Sequence, residues 1–210
     1  MDREELRKQA MEIFDNKNDI QMLGCGISRD VYTLNDNLVI KIERYTEMSD
    51  YELLPKLGYK RIMKEIENNH ITNRNYLNTI SILNLGVNKE SVKIWLGIED
   101  RFMYHNQNII EALNYRALKF SPLQKHLLKV VDIFVYKNFT ILIQEKGVKP
   151  KNIHCKGMVK FKEFVDNIFR KKGYQISDIH YNNILCSTSN RNTYLICDTG
   201  TCQFYDRELY

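Results

Sequence analysis

A chain of 210 residues with 43% hydrophobic content is long enough for one substantial core or two small lobes, with no need of disulfide or metal staples. Its net charge of +5 is mild and its basic residues are spread along the sequence; the denser stretch from Lys146 to Lys172 suits a solvated surface that also attracts an anionic partner, and the absence of any RNA-binding signature argues against nucleic acid. The five cysteines, Cys25, Cys155, Cys186, Cys197 and Cys202, are odd in number and lack CxxC spacing, which points away from a disulfide framework or zinc site and toward a reducing cytoplasm. No apolar run is long enough for a membrane span and no leader resembles a secretory signal.

In chain order, residues 1–20 read as an amphipathic helix with Leu6, Ala10, Ile13 and Phe14 on one face. Met22 to Leu34 and Leu38 to Glu43, separated by Asn35-Asp36-Asn37, read as a hairpin and a third strand. Gly24 and Gly26, with Ser28 after them, let the backbone approach a phosphate without a side chain in the way. Apolar stretches at Ile80-Ser81-Ile82-Leu83 and Val92 to Ile98 make 45–104 a structured insertion rather than a linker. Asn106 to Tyr115 is helical in pattern and ends before Pro122. Leu127 to Phe134 and Phe139 to Glu145 are strand-like, and Met158, Val159, Phe161, Phe164, Val165, Ile168 and Phe169 recur at helical spacing up to Lys171-Lys172-Gly173. No internal repeat or low-complexity segment is present.

The most specific pattern lies near the end. Asp178, Asn183 five residues later and Asp198 fifteen residues after that each adjoin an apolar, strand-like run. A phosphoryl group in transfer carries charge on its oxygens and needs little covalent help, so the protein must supply cations, position a nucleophile and accept one proton. Magnesium takes hard oxygen ligands and keeps several waters, so one carboxylate and one carboxamide suffice when phosphates provide the rest. Asp198 and Asn183 are the candidates for that metal, with manganese as a substitute, and Asp178 for the base or orienter of an acceptor hydroxyl.

Asp178-Ile179-His180-Tyr181-Asn182-Asn183-Ile184-Leu185 resembles the catalytic loop of aminoglycoside phosphotransferases and related kinase-like enzymes, phage-encoded ones among them. In that superfamily the pattern is Asp-Leu-His-x-x-Asn; protein kinases have His-Arg-Asp, four residues and Asn. This chain has Ile176 where the family has a histidine, and Thr199 in place of the phenylalanine of Asp-Phe-Gly. The resemblance implies that Lys41, in Val-Ile-Lys, pairs with the alpha and beta phosphates of ATP and is held by a helix glutamate. Glu111 fits that order best, with Glu65 and Glu67 as alternatives nearer in sequence. It further implies that Glu145-Lys146-Gly147-Val148 form the linker whose backbone meets adenine, and that His180 has a supporting catalytic role.

Each signal alone has an ordinary reading as a turn, a hairpin or a solvated side chain. Their order, Gly-x-Gly, Val-Ile-Lys, Asp-x-His-x-x-Asn and Asp-x-Gly, leads to an α+β, minimal two-lobe protein-kinase-like fold. Residues 1–20 would be a docking helix, 21–145 an antiparallel-sheet first lobe carrying the insertion, and 146–210 a reduced helical second lobe. The expected activity is ATP-dependent transfer of the gamma-phosphate to a hydroxyl. Only Thr201 to Tyr210 follow Asp-Thr-Gly, too little for an activation segment or a small-molecule acceptor pocket, so a protein acceptor is favoured. The alternatives are a weakly active or inactive pseudokinase acting as a binding module, and transfer of AMP.

Overall fold

The computed structural model describes residues 2–26, 29–43, 107–118, 121–137, 139–172 and 179–200. Ser28, Glu65, Glu67, Ile176, Asp178, Cys202 and the 45–104 insertion lie outside these residues. The chain is mixed α+β with antiparallel sheets. Helix α1 (Arg3–Asp15) leads into strands β1 (Gly24–Cys25), β2 (Arg29–Thr33) and β3 (Leu38–Glu43). Helix α2 (Gln107–Ala117) precedes β4 (Val130–Tyr136), β5 (Phe139–Glu145) and the short β6 (Gly147–Val148). Helix α3 (Lys156–Lys172), β7 (Ile184–Ser187) and β8 (Tyr194–Ile196) complete the order. The larger sheet runs β1-β2-β3-β5-β4 and the smaller β6-β7-β8.

Strand register divides the larger sheet into two unlike faces. Successive strand residues point to opposite sides, and directly paired residues share a side. Ile40 pairs with Tyr32 and Ile143, and Ile42 with Ile141. These residues, with Phe134, pack against Leu6, Ala10 and Phe14 of α1 in one apolar cluster. The opposite parity carries Lys41, Glu43, Thr140 and Gln144, all buried. The apolar runs of β3 and β5 are therefore covered on both sides, with an apolar cluster on one and, on the other, polar groups set among Val39 and Leu142.

The first helix is shorter than the 1–20 expected from its pattern. Asn16 ends it, donating both its backbone N–H (3.1 Å) and its amide Nδ2 (2.9 Å) to the Glu12 carbonyl, because asparagine competes with the helical ladder by local bonding. Its start is fastened to the sheet edge: the Asp132 carboxylate on β4 accepts Nε of Arg3 at 2.9 Å and Nε of Arg7 at 2.6 Å. Burial would raise the Asp132 carboxyl, but the two arginines outweigh it and keep it below the usual range.

The smaller sheet joins the larger through Leu127, which bridges Ile196, and through Leu128, whose N–H donates to the Ile196 carbonyl at 3.1 Å. Helix α3 buries Met158, Phe161, Val165 and Phe169, but of the other periodic positions Ile168 is half-buried and Phe164 is exposed; Phe161 lies 5.7 Å from the ring of Tyr194 of β8. Cys25, Cys155, Cys186 and Cys197 are free thiols. Among the described residues no helix is long and apolar enough to cross a membrane.

Phe14 tests the docking of α1. Its ring lies 5.5 Å edge-on from Tyr136 and 5.0 Å from Phe139, so Phe14→Ala removes a large side chain from a packed site. We expect a loss of about 3 to 5 kcal/mol in urea unfolding, whereas a loss below about 1 kcal/mol would mean that α1 does not contribute to this core.

Candidate functional site

Three helical positions set the site. Asn108, Glu111 and Asn114 lie three residues apart along α2, share one side of it and are all buried. Asn108 hooks the helix start into the sheet: its Nδ2 donates to the carbonyls of Lys41 and Thr140, each at 2.9 Å, and its backbone N–H donates to Glu43 Oε1 at 3.0 Å. Asn114 Nδ2 donates at 2.6 Å to the carbonyl of Thr199. Between them, Glu111 meets the polar face of the sheet.

The Glu111 carboxylate is shared by three strands. Lys41 Nζ on β3 lies 3.0 and 2.9 Å from its two oxygens. Arg29 NH1 on β2 donates to Oε2 at 2.5 Å, and Gln144 Nε2 on β5 donates to Oε1 at 2.9 Å. Lys41 also donates to the carbonyl of Cys197. Arg29 reaches further, with NH2 2.6 Å from Asp198 Oδ1. The expected choice of Glu111 to hold Lys41 is thus the pairing observed, while Glu65 and Glu67 lie outside the described residues.

Asp198 is held from several sides. The Gly200 N–H donates to its Oδ1 at 3.1 Å. A Cβ on Gly200 would sit 2.7 Å from Cβ of Gln107 and 3.0 Å from its carbonyl oxygen, so the start of α2 could not approach as it does if residue 200 carried a side chain. Burial would raise the Asp198 carboxyl, but Arg29 and Lys41 overcome it and hold it at about 2. For Arg29, burial opposes the charge, and Asp198 and Glu111 more than compensate, so its proton is held even more tightly than usual. Burial pushes the neighbouring Cys197 thiol up to about 12, which leaves it neutral and a poor nucleophile.

Asn183 closes the turn Tyr181–Asn183 before β7. Its carbonyl accepts the Cys197 N–H at 3.0 Å, continuing the ladder past the Ile184 and Ile196 pair, so the segments bearing Asn183 and Asp198 emerge side by side. The set suits magnesium chemically: an ionised carboxylate and a carboxamide, both hard oxygen donors. Among the described residues no group of three or more His, Cys, Asp or Glu could hold a metal ion. His180 is exposed and its carbonyl accepts the Asn183 N–H at 2.9 Å. Asp178 and Ser28 lie outside the described residues.

Two expectations need correction. The Glu145 N–H donates to the Lys129 carbonyl and the Lys146 N–H to that of Asn37, both at 2.8 Å, so neither N–H is left as a donor to a base. Gly147-Val148, expected within that linker, instead pair with Ser187 and Cys186 as β6. Sequence reasoning also missed Arg29, Glu43, Asn108, Asn114 and Gln144. Parity was a signal for two of them, Glu43 and Gln144, which with Lys41 and Thr140 interrupt otherwise apolar strands on one side only; Arg29, Asn108 and Asn114 had none.

No model of a known protein family matches the chain, and no curated protein matches it.

The shared carboxylate makes the pair asymmetric. Lys41→Met leaves Glu111 bonded to Arg29 and Gln144, whereas Glu111→Gln leaves a buried ammonium without its anion. Breaking a buried pair from one side costs about 3 to 5 kcal/mol, so we expect Glu111→Gln in that range in urea unfolding, Lys41→Met below it, and the double variant well short of the sum. Additive losses would show that the two groups are not coupled.

Glu43 gives a pH signature. Its Oε2 is buried with no hydrogen-bond partner, and burial raises its carboxyl from 4.5 to about 7, against smaller opposing contributions from Thr140, Asn108 and Arg29. Between those values the folded state binds more protons than the unfolded one, so this contribution to stability falls as pH rises from about 4.5 to about 7. Melting curves of Glu43→Gln, compared with wild type across that window, should lack this downward component. Parallel curves would mean that Glu43 titrates normally.

Proposed function

We propose that the chain is a minimal two-lobe, protein-kinase-like phosphotransferase that moves the gamma-phosphate of ATP to a hydroxyl, on a protein in preference to a small molecule. One observation carries the reading. The Lys41 ammonium sits between both oxygens of Glu111 and the carbonyl of Cys197, beside the ionised Asp198. Strand lysine, helix glutamate and aspartate after a late strand are what the resemblance calls for, and they meet although 70 residues separate Lys41 from Glu111 and 156 separate it from Cys197. On this reading the five-stranded sheet with α2 is the first lobe, and β6–β8 with α3 the second.

Lys41 and Glu111 do electrostatic work. Their fixed geometry presents a positive charge that needs no reorganisation when anionic oxygens arrive. Asp198 and Asn183 would hold magnesium, which when bound neutralises charge on the phosphate oxygens. Gly24 and Gly26 support a phosphate role: among the described residues a Cβ on Gly24 would meet nothing, and one on Gly26 would meet only the Arg29 carbonyl at 3.7 Å. Such open backbone is compatible with the close approach of a phosphate. Asp178 is assigned the acceptor proton and His180 a supporting place in the loop.

A second reading, a binding module without catalysis, is favoured by the Arg29–Asp198 ion pair, which already neutralises the metal carboxylate. ATP labelled at the gamma or alpha position separates the readings, with cell lysate as acceptor. Gamma label in protein supports phosphoryl transfer, alpha label alone means nucleotidyl transfer, and neither means binding. In the first case Asp178→Asn should lower incorporation by about 100-fold or more with ATP affinity within a few-fold; equal incorporation would remove Asp178 from the mechanism.

A further inference from the structure

We infer that Arg29 is a resident cation of the divalent-metal site, bridging Asp198 to Glu111 until a metal–nucleotide complex displaces it, so that free divalent cation alone is kept off the protein. The inference rests on the phosphotransferase reading, because it takes Asp198 as the metal carboxylate.

The geometry of the bridge supports this role. One guanidinium spans two carboxylates on different elements, NH1 to Glu111 at 2.5 Å and NH2 to Asp198 at 2.6 Å, with NH1 also 3.2 Å from Asn108 Oδ1. A planar fork makes such a two-ended contact, whereas a lysine ammonium is a point charge. The Arg29 side chain is 4% exposed and that of Asp198 30%, so the arginine caps the carboxylate from inside and leaves its other side toward solvent.

Charge balance limits which ligands can enter. Arg29 and Lys41 carry two positive charges against the two negative charges of Glu111 and Asp198, and the neighbouring Glu43, which burial pushes up to about 7, stays uncharged below that pH, so the largely buried set is neutral there. A divalent cation arriving alone would add two uncompensated charges, which a buried site resists. A nucleotide supplies the missing anions. It would also approach the Gly24–Gly26 segment, and that segment is tied to the arginine, since the Gly26 N–H donates to the Arg29 carbonyl at 2.8 Å. A purely structural arginine would cross-link β2 to α2 equally well, but it would not govern metal binding.

Free Mn2+ measured by electron paramagnetic resonance on the full chain tests this. Wild type should bind Mn2+ only when ATP is present. Arg29→Met should bind Mn2+ without nucleotide at least about tenfold more tightly than wild type, Arg29→Lys should lie between them, and Asp198→Asn in the Arg29→Met background should abolish the gain. Equal affinities of wild type and Arg29→Met without nucleotide, or a gain that survives Asp198→Asn, would overturn the inference while leaving the phosphotransferase reading intact. Failure of wild type to bind Mn2+ even with ATP would overturn that reading and this inference with it. Should Arg29→Met not fold, wild type decides: the Arg29 Nε–H resonance, identified by its loss in Arg29→Lys, should shift with magnesium and a non-hydrolysable ATP analogue and not with magnesium alone. A resonance unmoved by both would overturn the inference.

Discussion

A carboxylate buried without partners is among the costliest groups a fold can contain, and Glu111 is buried with four short contacts instead. Its oxygens take Lys41, Arg29 and Gln144 from three strands, so the position of α2 over the sheet is fixed by charge as well as by packing. Asn108 and Asn114, on the same side of the helix, extend that attachment to the Lys41 and Thr140 carbonyls at one end and the Thr199 carbonyl at the other. Rotating or sliding the helix would strand several of these groups together. Networks of this kind are cooperative in that sense: fully satisfied they define one arrangement, and partly satisfied they are worse than an apolar contact.

The two faces of the sheet divide the work accordingly. On the α1 side, isoleucines and aromatics of β2, β3, β4 and β5 make an ordinary core, and Asp132 fixes the helix at the edge strand through Arg3 and Arg7. On the α2 side the same strands present charges and amides. Period-two alternation makes this possible within a six-residue strand: Ile40 and Ile42 face one way, Lys41 and Glu43 the other. Stability can reside on one face while the other carries groups that packing alone would not select.

How much of this was legible in the sequence depends on the physics of each signal. Lys41 and Glu111 could be read because a lysine inside a Val-Ile-Lys-Ile run and a glutamate on a helix ended by proline are local patterns in a recognisable order. The strand Phe139 to Glu145 was equally plain, since a continuous apolar run of that length has few other uses. Arg29, Asn108 and Gln144 were not legible. Arg29 and Gln144 resemble solvated polar residues until the register is known, and a slip of one residue would send either to the other face; Asn108 lies on α2, where helical spacing does not say which strand carbonyls it meets. Gly200 reads as part of an Asp-x-Gly motif, but its reason is steric, the close approach of Gln107. At Glu145-Lys146 the pattern could not show that both N–H groups are taken by Lys129 and Asn37, because those partners lie outside the local sequence.

The ionic seam also bears on why such a cluster lies between helix and sheet at all. A buried ion pair is often no more stabilising than well-packed apolar residues of similar volume, because desolvation offsets the attraction. Leucine or methionine at Lys41, Arg29 and Glu111 would satisfy a helix packed on a sheet. What apolar residues could not do is exchange one cation for another. A neutral set containing a guanidinium between two carboxylates can take up a divalent metal only if anions accompany it or the guanidinium leaves. On the proposed reading, an arrangement of little benefit to folding would thereby be selective for a charged ligand that brings both metal and phosphate, and that selectivity would arise from the contacts of Glu111 and Asp198 whatever the acceptor.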